Sequence, residues 1–222
     1  RDLPSGTTER VSVDTAGVQG DNLSWYPWIS GDGSRVAFYS QSTNLVTGDL
    51  NGVFDIFVRD RGTNPGTDIC QAGTGSVIGC PCTNPPLNAP RGCNNSTATG
   101  GAQLTSHGTA ALSHDTLVFV TNGERPTATS ILLQGSAVSV TGVAFGQGVR
   151  CVAGTLKRLY TRNASGGSVT LPGPNDPSVS LRSATLNHPV APGSSRWYAV
   201  YYRDPVVLGG CPATSTFNIT QT

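Results

Sequence analysis

The hydrophobic positions along this chain follow a strand pattern. Short runs rich in Val, Thr, Leu, Phe and Tyr recur roughly every ten residues, each closed off by Gly, Pro, Asn or Asp. No window sustains apolar residues at i, i+3 and i+4 together with a helix cap. The pattern predicts strands over residues 9–13, 35–40, 54–59, 116–121, 130–134, 137–145, 156–161, 178–183, 196–203 and 216–220. The most apolar run, WYAVYY at 197–202, reads as the centre of a sandwich sheet. Pro205 ends it, because proline has no amide hydrogen to donate to a ladder. Many short strands without intervening helices imply an all-β chain, a sandwich or a propeller rather than α/β.

Composition divides the chain near residue 66. The segment before it is cysteine-free, residues 70–95 carry four cysteines amid Pro and Asn, and β patterning resumes after about residue 98. Charged residues make up only 12% of the chain and the net charge is +1, which excludes a nucleic-acid binder working through a basic face. No apolar run reaches membrane-spanning length, so no membrane insertion is expected. Methionine is absent, so Arg1 is not an initiator and the chain is expected to be a processed product or a fragment. Six cysteines in a chain with a single lysine, Lys157, point to an oxidising, extracellular compartment.

Motifs in order give the first 66 residues a character of their own: ISGDG at 29–33, RVAF at 35–38, TNLV at 43–46, GDLNG at 48–52 and DIFVRD at 55–60. The opening RD…GT at 1–7 echoes RDRGT at 59–63. This series resembles one TolB-like β-propeller repeat, departing from it at Trp25 and Trp28, where smaller residues are usual. The resemblance implies a blade-like sheet with strands around Ile29, at 35–40 and at 54–59. A blade has four strands and hides its faces against neighbours. Here the place of the fourth strand holds PGTDIC at 65–70, while a TTERVSV segment sits at 7–13 with no blade before it. Residues 8–13 thus either close their own sheet, complete the sheet of another copy, or are the remnant of a longer propeller. In the second case Glu9, Arg10, Val11, Ser12 and Val13 form an interface, with Val11 and Val13 inward. Such head-to-tail addition propagates as a filament unless it closes a ring.

Residues 70–222 hold a second set of pieces, among them CPC at 80–82, GCNNS at 92–96, FGQGVRC at 145–151, YYRDP at 201–205 and TFNIT at 216–220. Together they resemble an uncharacterised Cys-containing β-domain of large secreted bacterial proteins. The resemblance implies secretion and a β-sandwich and carries no known chemistry. Relatives usually continue with another strand after TFNIT, so an edge strand is expected to be missing. The fold expected overall is a propeller-blade-like sheet (1–66) followed by a disulfide-stapled sandwich (70–222). Six cysteines allow fifteen pairings. We expect Cys151 with Cys211, which flank sandwich strands, and local pairing of Cys70, Cys80, Cys82 and Cys93, with Cys80 and Cys82 too close to join each other. Zinc is disfavoured, because the spacing is not C-x₂-C and no histidine lies nearby.

Candidate chemistry is sparse. No G-x-S-x-G occurs. His107, His114 and His188 are the only histidines, and Ser194 and Ser195 lie in a turn beyond His188. Glu9 and Glu124, the two glutamates, form no glycosidase pair. Asp49, Asn51 and Asp55 alternate like the first half of a calcium loop, without the bidentate Glu; the competing reading is an Asx-rich turn. Trp25, Tyr26 and Trp28 form either a packing and subunit surface or a sugar-stacking platform. Sequons at Asn22, Asn94, Asn95, Asn163 and Asn218 are candidate glycosylation sites. The expected function is a non-enzymatic secreted structural protein, a filament or surface subunit joined to other copies by strand exchange, needing no cofactor unless calcium. The alternative is a carbohydrate- or surface-binding module that recognises surface glycans through Trp25 and Trp28.

Overall fold

Alternation in RVAFYS sets the first sheet. Val36, Phe38 and Ser40 turn to one face and are buried, while Arg35, Ala37 and Tyr39 turn to the other. The computed structural model describes residues 8, 10–30, 35–60, 66–108, 110–112, 114–209, 211 and 216–222. Packing divides the chain into two units, Arg1–Thr63 and Asn64–Thr222. The fold is all-β, with one short helix. Among the described residues no helix is long and apolar enough to cross a membrane.

The first unit is a three-stranded antiparallel sheet in the order β1 (Ser24–Ile29), β2 (Arg35–Ser40), β3 (Asp55–Asp60). Phe38 stands opposite Phe57 with the rings stacked at 5.8 Å. A bulge between Trp25 and Trp28 puts Tyr26 at φ 51°, a left-handed conformation that bulges accommodate. Much of the predicted turn after Ile29 (31–34), together with 1–7, Glu9 and 61–65, lies outside the described residues. The expected strand at 9–13 does not form over its described part. Val13 makes a lone bridge to Gln19, the Gly20 amide donates to the Ser12 carbonyl, and Asp14 Oδ1 accepts the Ala16 and Val18 amides. A short side chain capping a tight turn outcompetes the extended pattern. Among the described residues β3 pairs with β2 alone.

The second unit packs two antiparallel sheets face to face. One runs β10 (Val169–Leu171), β7 (Val118–Asn122), β4 (Gln103–His107). The other runs β12 (Phe217–Ile219), β11 (Trp197–Arg203), β8 (Thr129–Phe145), β9 (Gly148–Asn163). Two-residue strands β5 (Ala110–Ala111) and β6 (His114–Asp115) form a small hairpin. Leu104 and Phe119 of the smaller sheet meet Leu132, Leu159 and Val200 of the larger in the main core. The run at 130–134 and the run at 137–145 are one strand, because bulges rather than a turn absorb the Gly135 region. Residues 178–183 are not a strand. Ser178 holds the N-cap position and 179–183 lie in helix α1 (Val179–Thr185), which buries Val179 and Ser183 at i and i+4 and takes a further N-terminal partner from afar: Asp115 Oδ2 accepts the Ser180 amide at 2.6 Å.

The disulfides join Cys70 to Cys151, Cys80 to Cys93 and Cys82 to Cys211. Cys80–Cys93 is one of the local pairs expected, but Cys70 and Cys82 pair at long range instead of locally, and Cys151–Cys211 is not formed. The β8–β9 hairpin carries Cys151 to the Cys-rich loop, where it packs with Cys70, Cys93 and Val149. That loop lacks a ladder, so buried amides serve its backbone. Asn84 Nδ2 donates to the Asn94 and Gln147 carbonyls, and Asn218 Nδ2 donates to the carbonyls of Cys93 and Asn94. Gln221 spans the Leu104 amide and carbonyl.

Candidate functional site

Strands β8 and β9 are much longer than their partners, and three register shifts coil them. The coil brings the tip of the hairpin round to β12, where the Gln147 amide donates to the Phe217 carbonyl at 2.8 Å. The second face of the larger sheet therefore becomes a trough. Its floor is apolar: Leu133, Ala199, Tyr201 and Ile219 are buried, with Leu156 and Phe217 packed against them. Tyr201 meets the Phe145 and Phe217 rings edge-on at 5.5 and 5.6 Å.

Cations stand over these rings. The Arg150 guanidinium lies 5.3 Å from the Phe145 centroid, Arg158 5.9 Å from Tyr201, and Arg203 5.3 Å from Phe217. Such stacking orients a guanidinium while leaving its N–H edges free to donate. Lys157 also lines a hollow of about 490 Å3 together with Leu133, Leu156, Leu186 and Tyr201. Arg150 Nε is enclosed without a hydrogen-bond acceptor. Burial pushes the Tyr201 hydroxyl above its ordinary range, opposed by Arg158. Chemically the trough is built to take an anion that carries an apolar body.

The first unit exposes apolar surface. Trp28 is 78% exposed, and Ile56 and Val58 stand exposed on the same sheet face. Trp25 is half-covered, with its ring 5.9 Å from that of Phe54. Of the proposed donor segment, Thr8, Arg10, Val11, Ser12 and Val13 are described and pair with no named strand. Asp49, Asn51 and Asp55 do share one loop. Asn51 Nδ2 donates to Asp55 Oδ2 at 2.8 Å and Asn51 Oδ1 accepts the Val53 amide, so the side chains hydrogen-bond one another as an Asx turn does.

The sequons separate by burial. Asn22 and Asn163 are exposed and Asn94 is half-buried. Asn95 is buried, its amide nitrogen donating to Thr99 Oγ1, the Gly123 carbonyl and the Tyr202 hydroxyl, and Asn218 is buried on the carbonyls named above. These two are not presented for modification by the folded chain. His188 Nδ1 faces Gln134 Oε1 at 3.0 Å, and burial lowers its pKa. Ser194 Oγ donates within its own turn to the Ala191 carbonyl.

The residues that sequence reasoning missed are Phe145, Arg150, Arg158, Tyr201, Arg203 and Phe217. Their one visible signal is arginine placed within apolar strands, and their convergence depends on the coil of the hairpin. Against protein-family models, curated proteins and solved structures, the chain has no match.

Proposed function

We propose that this chain is a non-enzymatic, exported structural protein whose copies join head-to-tail by strand exchange, residues 8–13 of one copy adding to the free edge of β3 in the next. The observation that carries the reading is the three-stranded sheet of the first unit. Its β3 edge is unpaired among the described residues, its face carries exposed Trp28, Ile56 and Val58, and residues 10–13 belong to no named strand, only Val13 making a bridge, to Gln19. Open edges of this kind bind strands through main-chain hydrogen bonds. The three disulfides fit an oxidising, extracellular setting. Light scattering after size exclusion, with negative-stain microscopy, tests the reading. The full chain is expected to form concentration-dependent oligomers, and a chain lacking residues 1–14 is expected to stay monomeric. A full chain that is monomeric at its solubility limit overturns the proposal.

Exposed Trp28 and Tyr26 favour a second reading, a module that binds carbohydrate surfaces by stacking. A glycan array reads it: Trp28→Ala abolishes binding if the platform acts, and an array without signal retires it.

A further inference from the structure

We infer that the 46–55 loop of one copy seats in the trough of the second unit of another copy, Leu50 entering the hollow and Asp49 and Asp55 meeting its cations. The inference rests on the self-assembly reading and names a second contact that strand exchange does not supply.

The trough is a cationic site without an anion. Residues 64–222 carry nine Lys and Arg against five Asp and Glu. All five acids are engaged elsewhere: Asp68 with Gln221, Asp115 with the Leu117 and Ser180 amides, Glu124 with Thr121 and Ser130, Asp176 with Arg162, and Asp204 with Ser96 and Arg125. Among the described residues Arg150, Lys157, Arg158 and Arg203 have no acid partner. The ring faces already hold three guanidiniums in place, so their ordering cost is met before a ligand arrives.

Residues 1–63 are the complement, with eight acids against five arginines. Within them the 46–55 loop pairs acid with apolar surface. Leu50 is 91% exposed, the highest value among the exposed large hydrophobics of the described residues, and Val46 and Val53 near it are exposed too. Asp49 and Asp55 flank Leu50 and Val53. The loop is fixed in advance by the Asp49 amide donating to the Val46 carbonyl and by the two Asn51 hydrogen bonds. An exposed leucine between carboxylates matches a leucine-floored hollow rimmed by arginine and lysine in both charge and polarity. The contact joins different surfaces on the two copies, so it extends an assembly unless the rotation closes a ring.

Lys157 gives the test its handle, because it is the only lysine. Full-length chains, half of them 15N-labelled, are mixed at low salt and treated with a zero-length carbodiimide, which joins amines to carboxylates. Mass spectrometry is expected to find Lys157 linked to Asp49 or Asp55 in mixed-isotope pairs. In sedimentation, Arg158→Glu, Asp49→Arg and Leu50→Ser are each expected to weaken association by about tenfold or more, and the Arg158→Glu/Asp49→Arg double variant to restore it. Circular dichroism checks that each variant folds. Lys157 links confined to single-isotope pairs overturn the inference, as do variants that associate like the parent. In both cases self-assembly still stands. A chain that does not associate at all defeats both readings.

Discussion

Breaking the Cys70–Cys151 bridge should cost more than breaking Cys80–Cys93, by an amount that follows from loop length. The two cysteines of the first bridge lie 81 residues apart and those of the second 13 apart. In the chain-entropy treatment, closing loops of these lengths removes unfolded-state freedom worth about 4.5 and about 3 kcal/mol. With Cys82–Cys211 intact, the shortest path from 70 to 151 still runs through roughly 70 residues, so the larger figure hardly changes. Native stabilities lie near 5–15 kcal/mol, so the Cys70→Ala/Cys151→Ala variant should sit close to its unfolding threshold. Urea titration of the two paired variants gives the comparison, and peptide mapping under non-reducing conditions gives the connectivity. Equal losses in the two variants, or recovery of Cys151 linked to Cys211, would refute the argument.

Glu124 is buried and accepts hydroxyl donors from Thr121 and Ser130; burial raises its pKa above the ordinary 4.5, the hydrogen bonds opposing. The native state then holds this proton more tightly than the unfolded chain, so its contribution to stability falls as pH rises from 4.5 through the raised value. Glu124→Gln should flatten that part of the urea-midpoint profile, and an unchanged slope contradicts it. In a host that N-glycosylates, glycopeptide analysis should find sugar on Asn163 and Asn22 and none on Asn95 or Asn218. Trp28→Ser should leave stability within about 0.5 kcal/mol, whereas Leu132→Ala between the sheets should cost about 2–5 kcal/mol. A large loss at Trp28 in thermal unfolding would mean that the ring is packed.

The all-β class and the sites of β2, β3, β7, β11 and β12 were legible because period-two burial and Gly/Pro punctuation are local signals. What was not legible depends on distant partners. The 178–183 run looks extended until Asp115, far upstream, supplies the N-terminal acceptor that a helix needs. Cys151 seemed to belong with Cys211 because sequence shows neither the length of the β8–β9 hairpin nor where its coil delivers the sulfur. The trough escaped for the same reason: Arg150 and Arg158 lie eight residues apart on the long β9 and Arg203 ends β11, and only strand curvature gathers them over one aromatic floor.

The second unit is fastened at its own beginning and end. The Ile69 amide donates to the Thr222 carbonyl at 2.9 Å, and Gln221 reaches Asp68. Entry and exit thus share one doorway. A polypeptide grafted beyond Thr222 would depart from beside the point where the chain comes in, so the unit can hang as a pendant from a longer thread without adding to its span.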